Sequence, residues 1–338
     1  MEYKVNYPHQ KDLYSPTKFW HQACRDLELD IKKNGLENFR RLTLPLNFFV
    51  PTYGYFTNCL FSSETEKMLK TMRATPKHLA EFRHFLSGEM AALADYRTFK
   101  AGSLYCNRYN FHNFSESCVG NPIEQFCFDS KFYSRASLNY LLGLSFLSKF
   151  VDLDNIKIIL EIGGGFGSLG EITRKCMNET KYIDLDIYPV DKVAKYYLKK
   201  TFNNIGISSS KIASTNKKIS IRDLNLTSIL PTWQIENLEG EVDLFVNFIS
   251  FQEMEPEIVT NYLEQISRLK SKWILLRNLR EGKPKATETM VGVKEPVFGI
   301  HYAKMLPAYE LLDKNVTPFG HKTVDGFHSE LLLFRRNA

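Results

Sequence analysis

The 338-residue chain has no uninterrupted run of 18 apolar residues, so no transmembrane helix is expected. It has no concentrated basic stripe either. The 44 Lys and Arg against 38 Asp and Glu give a charge of +6 spread along the chain, which mildly favours anionic ligands and does not predict nucleic-acid binding. The six cysteines (Cys24, Cys59, Cys106, Cys118, Cys127, Cys176) include no CxxC pair and no histidine partner at zinc spacing. Reduced structural thiols are therefore expected, and no metal site. The opening MEYKVNYPHQKD lacks the apolar centre of a signal peptide, so a cytoplasmic protein is the expectation. No repeat or low-complexity tract is visible. A length of 338 suits one large domain or two.

What is present changes rhythm near residue 150. Residues 1–150 read as helices joined by aromatic-rich connections. Ser15-Pro16 marks a helix start running to about Lys33, and Ser63 with Glu66 forms a capping-box pattern opening a helical region toward Tyr96. Trp20, Phe48, Phe49, Tyr53 and Tyr55 make this region aromatic, which suits a core or stacking faces for a ring. From 151 to 338 strands and helices alternate, the pattern of a parallel sheet with helices on both faces. The expected strands are IKIILEI (156–162), KYIDL (181–185), the stretch 217–224, VDLFVNFIS (242–250), KWILLRNL (272–279) and FHSELLLFRR (327–336). The first is a continuous apolar run, as in a strand buried on both faces.

That first strand runs into EIGGGFGSLGEI (161–172), with five glycines between Gly163 and Gly170. A Walker phosphate loop needs Lys followed by Ser or Thr after its last glycine; Gly167 is followed by Ser168-Leu169 instead. A dinucleotide GxGxxG pattern places its third glycine one residue beyond Gly167. Glu161, Gly163, Gly165 and Gly167 match the E/DxGxGxG loop of S-adenosylmethionine (SAM) methyltransferases. An acid at the head of the loop suits a cofactor bearing positive charge and is awkward beside a pyrophosphate. An acid about 20 positions on should accept from ribose hydroxyls. Asp184 and Asp186, two apart on one strand, share a face, and Asp184 is preferred. Asp223, in the third unit, is a candidate for the adenine amino group.

EIGGGFG, YIDLDIYPV and VNFISFQEM together resemble the sugar O-methyltransferases encoded in bacterial surface-polysaccharide gene clusters, a class I SAM-dependent family. The similarity covers roughly residues 35–335, including FRR (39–41) and SESCVGNP (115–122), and NFISFQEM is its most specific part. The family's IDLP reads IDLD here, with proline delayed to Pro189. The resemblance implies a Rossmann-like class I methyltransferase sheet behind a mainly helical N-terminal cap. It also implies methyl transfer to the hydroxyl of a sugar or glycan, possibly nucleotide-linked. From it, Glu116, Gly120 and Asn121 are expected to border the acceptor or cover the cofactor.

Such a transfer needs a base for the acceptor hydroxyl, beyond the end of the fourth strand. Asn247 is expected toward the cofactor, and Ser250 and Gln252 toward the acceptor. Gln252-Glu253 occupies the place where plant small-molecule O-methyltransferases, similar in this strand only, carry a His-Asp pair. Glu253 is therefore the first candidate base, against a capping role for the helix at Pro256, and His301 is the second. The competing functions are an NAD(P)-dependent nucleotide-sugar oxidoreductase or epimerase, and a methyltransferase-fold protein that only binds.

Overall fold

The computed structural model describes residues 12–43, 46, 49–54, 63–102, 110–177, 179–204, 206–207, 217–288, 292–322 and 328–337. Phe48, Tyr55, Cys59 and Cys106 lie outside the described residues. The chain separates into two compact units, Leu29–Phe150 and a sheet unit of Met1–Glu28 with Val151–Ala338. The division departs from the expected 1–150 and 151–338 in one respect: the first 28 residues cluster with the sheet.

Helix α1 (Lys18–Asn34) starts two residues after Pro16, because the Thr17 carbonyl accepts from the His21 amide at 2.9 Å. In the helical unit, the single region expected from Ser63 toward Tyr96 is three helices, α2 (Ser63–Thr71), α3 (Pro76–Leu86) and α4 (Glu89–Gly102). Thr75 caps α3, with Pro76 at its first position, where the missing amide costs nothing. Gly88 separates α3 from α4 at φ 76°, where a Cβ would lie 2.3 Å from the Tyr53 backbone. The hairpin β1 (Phe126–Phe128) and β2 (Lys131–Tyr133) leads to α5 (Arg135–Leu147), closed at its start by reciprocal Ser134 and Ser137 hydrogen bonds.

The sheet unit contains β3 (Ile158–Ile162), α6 (Ser168–Cys176), β4 (Lys181–Asp186), α7 (Val190–Thr201), β5 (Ile219–Ser220) and β6 (Thr227–Pro231). These are followed by β7 (Leu238–Glu239), β8 (Leu244–Phe248), α8 (Pro256–Arg268), β9 (Trp273–Leu279), α9 (Gly299–Met305), β10 (Tyr309–Lys322) and β11 (His328–Arg336). Seven strands form one sheet in the order β6-β4-β3-β8-β9-β11-β10. β3 pairs in parallel with β4 and β8, β4 with β6, and β8 with β9; β11 is antiparallel to β9 and β10. This is a doubly wound α/β sheet closed by an antiparallel hairpin, the Rossmann-like arrangement of the class I methyltransferases. The order reverses between β3 and β8, and ligands of such sheets bind beyond the carboxyl ends of the strands there. One apolar core joins β3, β4, β6, β8 and β9 to α8 and α9 through buried residues such as Leu160, Ile183, Phe245, Leu263 and Tyr302.

Two sequence expectations change. The stretch 217–224 is not the third strand of the sheet. Only Ile219–Ser220 is extended, in a two-stranded ribbon with β7, and Ile221–Asp223 is a turn of 3-10 helix. The third strand is β6, a fully buried TSILP segment that its terminal proline disguises. The long strand β10, partner of β11, falls outside the expected strands altogether. No described helix is long and apolar enough to cross a membrane.

Candidate functional site

The glycine loop follows Ile162, at the carboxyl end of β3. Gly163, Gly165 and Gly167 have φ of 73°, 62° and 93°, so the every-second spacing marks three left-handed residues that side chains resist. The amide of Gly163 donates to the Leu185 carbonyl at 3.0 Å. The amide of Gly164 donates to Asp184 Oδ1 at 3.1 Å and that of Gly165 to Asp186 Oδ2 at 3.0 Å, while Asp186 Oδ1 takes the Ile187 amide at 2.7 Å. The end of β4 thus holds the loop in place. Gly164 and Gly170 are needed for contact: a Cβ would lie 2.7 Å from Asp184 Oδ1 at the first and 2.6 Å from the Tyr182 ring at the second. Gly167 packs likewise, its Cβ position 2.9 Å from Leu198. Gly165 differs. Among the described residues nothing lies within 4 Å of its Cβ position, and it borders a cleft.

Three carboxylates cluster under this loop. Glu161, paired in register with Asp184, accepts from the Tyr182 hydroxyl, and Glu161, Asp184 and Asp186 are all buried. Burial, first, and then mutual repulsion raise Asp184 well above the usual carboxylate range. Burial raises Asp186 in the same direction, and the amides of Ile187 and Gly165 offset part of that cost. Asp184 Oδ2 is buried without a hydrogen-bond partner among the described residues.

A partly open cleft lies beside Gly163 and Gly165, with roughly 530 Å³ of empty space that includes open solvent. Its walls are mostly apolar, with Ile162, Leu185, Ile187, Val190, Ile258 and Tyr262 among them. Asp186 lines it, whereas Asp184, the preferred candidate, does not; both carboxylates accept amides of the loop. Ser250 lines it as well, its Oγ donating to the Ile162 carbonyl at 3.1 Å.

Asn247 and Gln252 are both hydrogen-bonded within the fold. Asn247 Nδ2 donates to the Ile162 carbonyl and to Ser250 Oγ, its Oδ1 takes the Phe251 amide, and Gln252 Oε1 takes the Leu279 amide. These bonds secure a 3-10 turn, Ser250–Glu253, entered through Ile249 at φ 75°, a strained value for a β-branched residue. Glu253 is buried at the end of the turn. Its Oε2 accepts from Trp20 Nε1 at 2.9 Å, its Oε1 lies 3.2 Å from Lys283 Nζ, and its carbonyl accepts from Thr17 Oγ1 at 3.0 Å. Burial raises Glu253, and Lys283 opposes that shift. Glu253 does not cap α8. That position belongs to Glu255, whose carboxylate instead takes the amides of Lys294 and Glu295.

Two candidates, Asp223 and His301, do not line the cleft. Asp223 is exposed and stands before β6, at the opposite end of the sheet, where Lys181 at the start of β4 reaches the neighbouring Leu224 carbonyl at 2.6 Å. This displacement follows from the third strand lying later in the chain than its pattern suggests. His301 caps its own helix α9, its Nδ1 accepting the Phe298 amide at 3.3 Å. Glu116 and Asn121 lie in the helical unit. Glu116 is buried against Arg40 at 2.8 Å and accepts from Ser134 and Gln125, while Asn121, at φ 52°, bonds Arg41 and Asn38.

Thr17, Thr232 and Tyr262 line the cleft and were not singled out in the sequence; Ser15, read there only as a helix start, and Trp20, read there only as one of several aromatic residues, line it as well. The N-terminal segment is tied in by Thr232 Oγ1 donating to the Tyr14 carbonyl at 2.9 Å and Tyr14 OH donating to Glu236 at 3.0 Å. These partners stand more than 200 residues apart, and no local pattern signals them. Thr232 directly follows β6, so recognising that strand is the signal that finds it.

No protein-family model and no curated protein matches the chain. Among solved structures it aligns with the mitomycin 7-O-methyltransferase at 13% identity over 94% of each chain, TM-score 0.40. It aligns with magnesium protoporphyrin IX methyltransferase from Synechocystis PCC 6803 with bound SAH at 12% identity, over 60% of this chain and 83% of that one, TM-score 0.39. Human N-acetylserotonin methyltransferase in complex with SAM aligns at 14% identity, over 60% and 56%, TM-score 0.35. Likeness at this level carries no argument for this chain, and its fold rests on the strand order itself.

Proposed function

We propose that the chain is a SAM-dependent O-methyltransferase whose acceptor is the hydroxyl of a sugar or glycan, in the synthesis of a bacterial surface polysaccharide. The observation that carries the cofactor is the buried carboxylate cluster beneath a glycine loop open at Gly165. Burying like charges together is costly, and a ligand bearing a sulfonium and an ammonium offsets that cost. The orphaned Asp184 Oδ2 and the apolar walls fit such a ligand. A dinucleotide fits poorly. The amides of Gly164 and Gly165 that would cradle a pyrophosphate already donate to Asp184 and Asp186, and the carboxylates would repel it. The sugar acceptor rests on the sequence resemblance alone.

Bound in the cleft, the cofactor supplies a methyl group on a sulfonium leaving group. Asp186 would hold its ribose, and the bare backbone at Gly165 would allow close approach. Glu253 takes the proton of the acceptor hydroxyl, and Trp20 and Lys283 hold its carboxylate in place. Isothermal calorimetry with SAM, with the demethylated product S-adenosylhomocysteine (SAH) and with NAD tests the reading. SAM and SAH should bind and NAD should not. Binding of NAD in preference would favour the oxidoreductase or epimerase.

A further inference from the structure

Lys283 lies just beyond the end of β9. Its Nζ sits 3.2 Å from Glu253 Oε1 and 4.5 Å from the centroid of the Phe19 ring, and its side chain is 23% exposed against 5% for Glu253. Phe19 meets Trp20 edge to face at 6.1 Å, and the Trp20 indole donates to the other oxygen of the same carboxylate. One lysine therefore touches a buried acid and, through an aromatic pair, the N-terminal segment that walls the cleft. An ammonium over a ring face is attracted to it, and one beside a carboxylate favours its ionised form.

We infer that Lys283 is the positioning residue for Glu253: its ammonium keeps that carboxylate ionised inside an apolar wall and orients it for proton acceptance. This rests on the reading of Glu253 as base. Other groups near Glu253 do not supply the same effect. Glu255 is turned to the amides of Lys294 and Glu295. Arg280 is paired with Glu281. Gln252 and Asn278 are neutral, and the facing residues of the N-terminal segment, Thr17, Phe19 and Trp20, carry no charge. Among the described residues, Lys283 is the cation in contact with this carboxylate.

The primary readout needs no acceptor. The indole ¹⁵N–¹H signal of Trp20, identified by its loss in Trp20→Phe, reports the charge of the carboxylate to which it donates. It is followed against pH in the full-length protein with SAH bound. The expected result is a titration absent from Glu253→Gln. In Lys283→Met, which keeps the stem over Phe19 and removes the charge, the midpoint should lie about one pH unit or more higher. Lys283→Arg should return it close to the original. Lys283→Gln gives the same readout if the methionine variant is unstable. An unchanged midpoint in either neutral variant, or a Trp20 signal that titrates identically in Glu253→Gln, would overturn the inference. Methyl transfer that persists in Glu253→Gln, with the midpoint shift intact, would instead remove Glu253 as base and leave the Lys283 pairing standing.

Discussion

At the scale of single residues, adjacent glycines of one loop answer to different demands. Gly165 leads into open space, whereas Gly164 is pressed against Asp184 and Tyr182. Gly165→Ala should therefore fold, losing about 1–2 kcal/mol to its left-handed backbone, and should weaken SAM binding, read by calorimetry beside thermal melting. Gly164→Ala should lower the melting temperature more, because the added methyl displaces the carboxylate that holds the loop. The two aspartates separate in the same way. Asp186→Asn should reduce SAM affinity about tenfold or more by altering a group in the cleft. At Asp184 the asparagine keeps an acceptor for the Gly164 amide and removes a buried charge. Glu253→Gln should leave SAM affinity near its original value and lower turnover about 10²–10⁴-fold, as expected for loss of a general base.

At the scale of elements, the strand ends and the turns after them build the site. Asn247 joins the end of β3, the Ser250–Glu253 turn and Asn278 of β9 through one side-chain amide. Asn247→Ala strands the Phe251 amide and should cost about 1–3 kcal/mol, measured by denaturant unfolding. Much of this was legible locally. The apolar run of β3, the acid Glu161 that follows it, the spaced glycines and the acids of β4 all announce themselves within residues 158–186. IDLD in place of IDLP blurred the choice between Asp184 and Asp186, and no local pattern shows that Asp186 lines the cleft whereas Asp184 does not. The third strand was not legible, because KISIRDL alternates like a strand whereas TSILP is short, buried on both faces and closed by proline. The N-terminal wall was least legible of all, since Thr17 and Trp20 find their partner Glu253 across more than 230 residues.

At the scale of the whole molecule, the buried acids link stability to pH. Asp184 and Asp186 bind protons more tightly folded than unfolded, so they favour the folded chain at acid pH. Their stabilising effect should fade as pH rises from the ordinary aspartate value through their raised folded values. Asp184→Asn should flatten that slope and raise the melting temperature of the ligand-free protein above neutrality. A cationic ligand acts in the opposite sense by favouring the ionised pair. The central claim is that this cluster seats a sulfonium cofactor. Calorimetric titration with SAM and with NAD, from about pH 5 to about pH 8, tests it most directly, because that window lies above the ordinary carboxylate values. SAM binding should tighten as pH rises and should release protons, with no binding of NAD. Binding of NAD without SAM, or SAM binding that weakens as the carboxylates ionise, would contradict it.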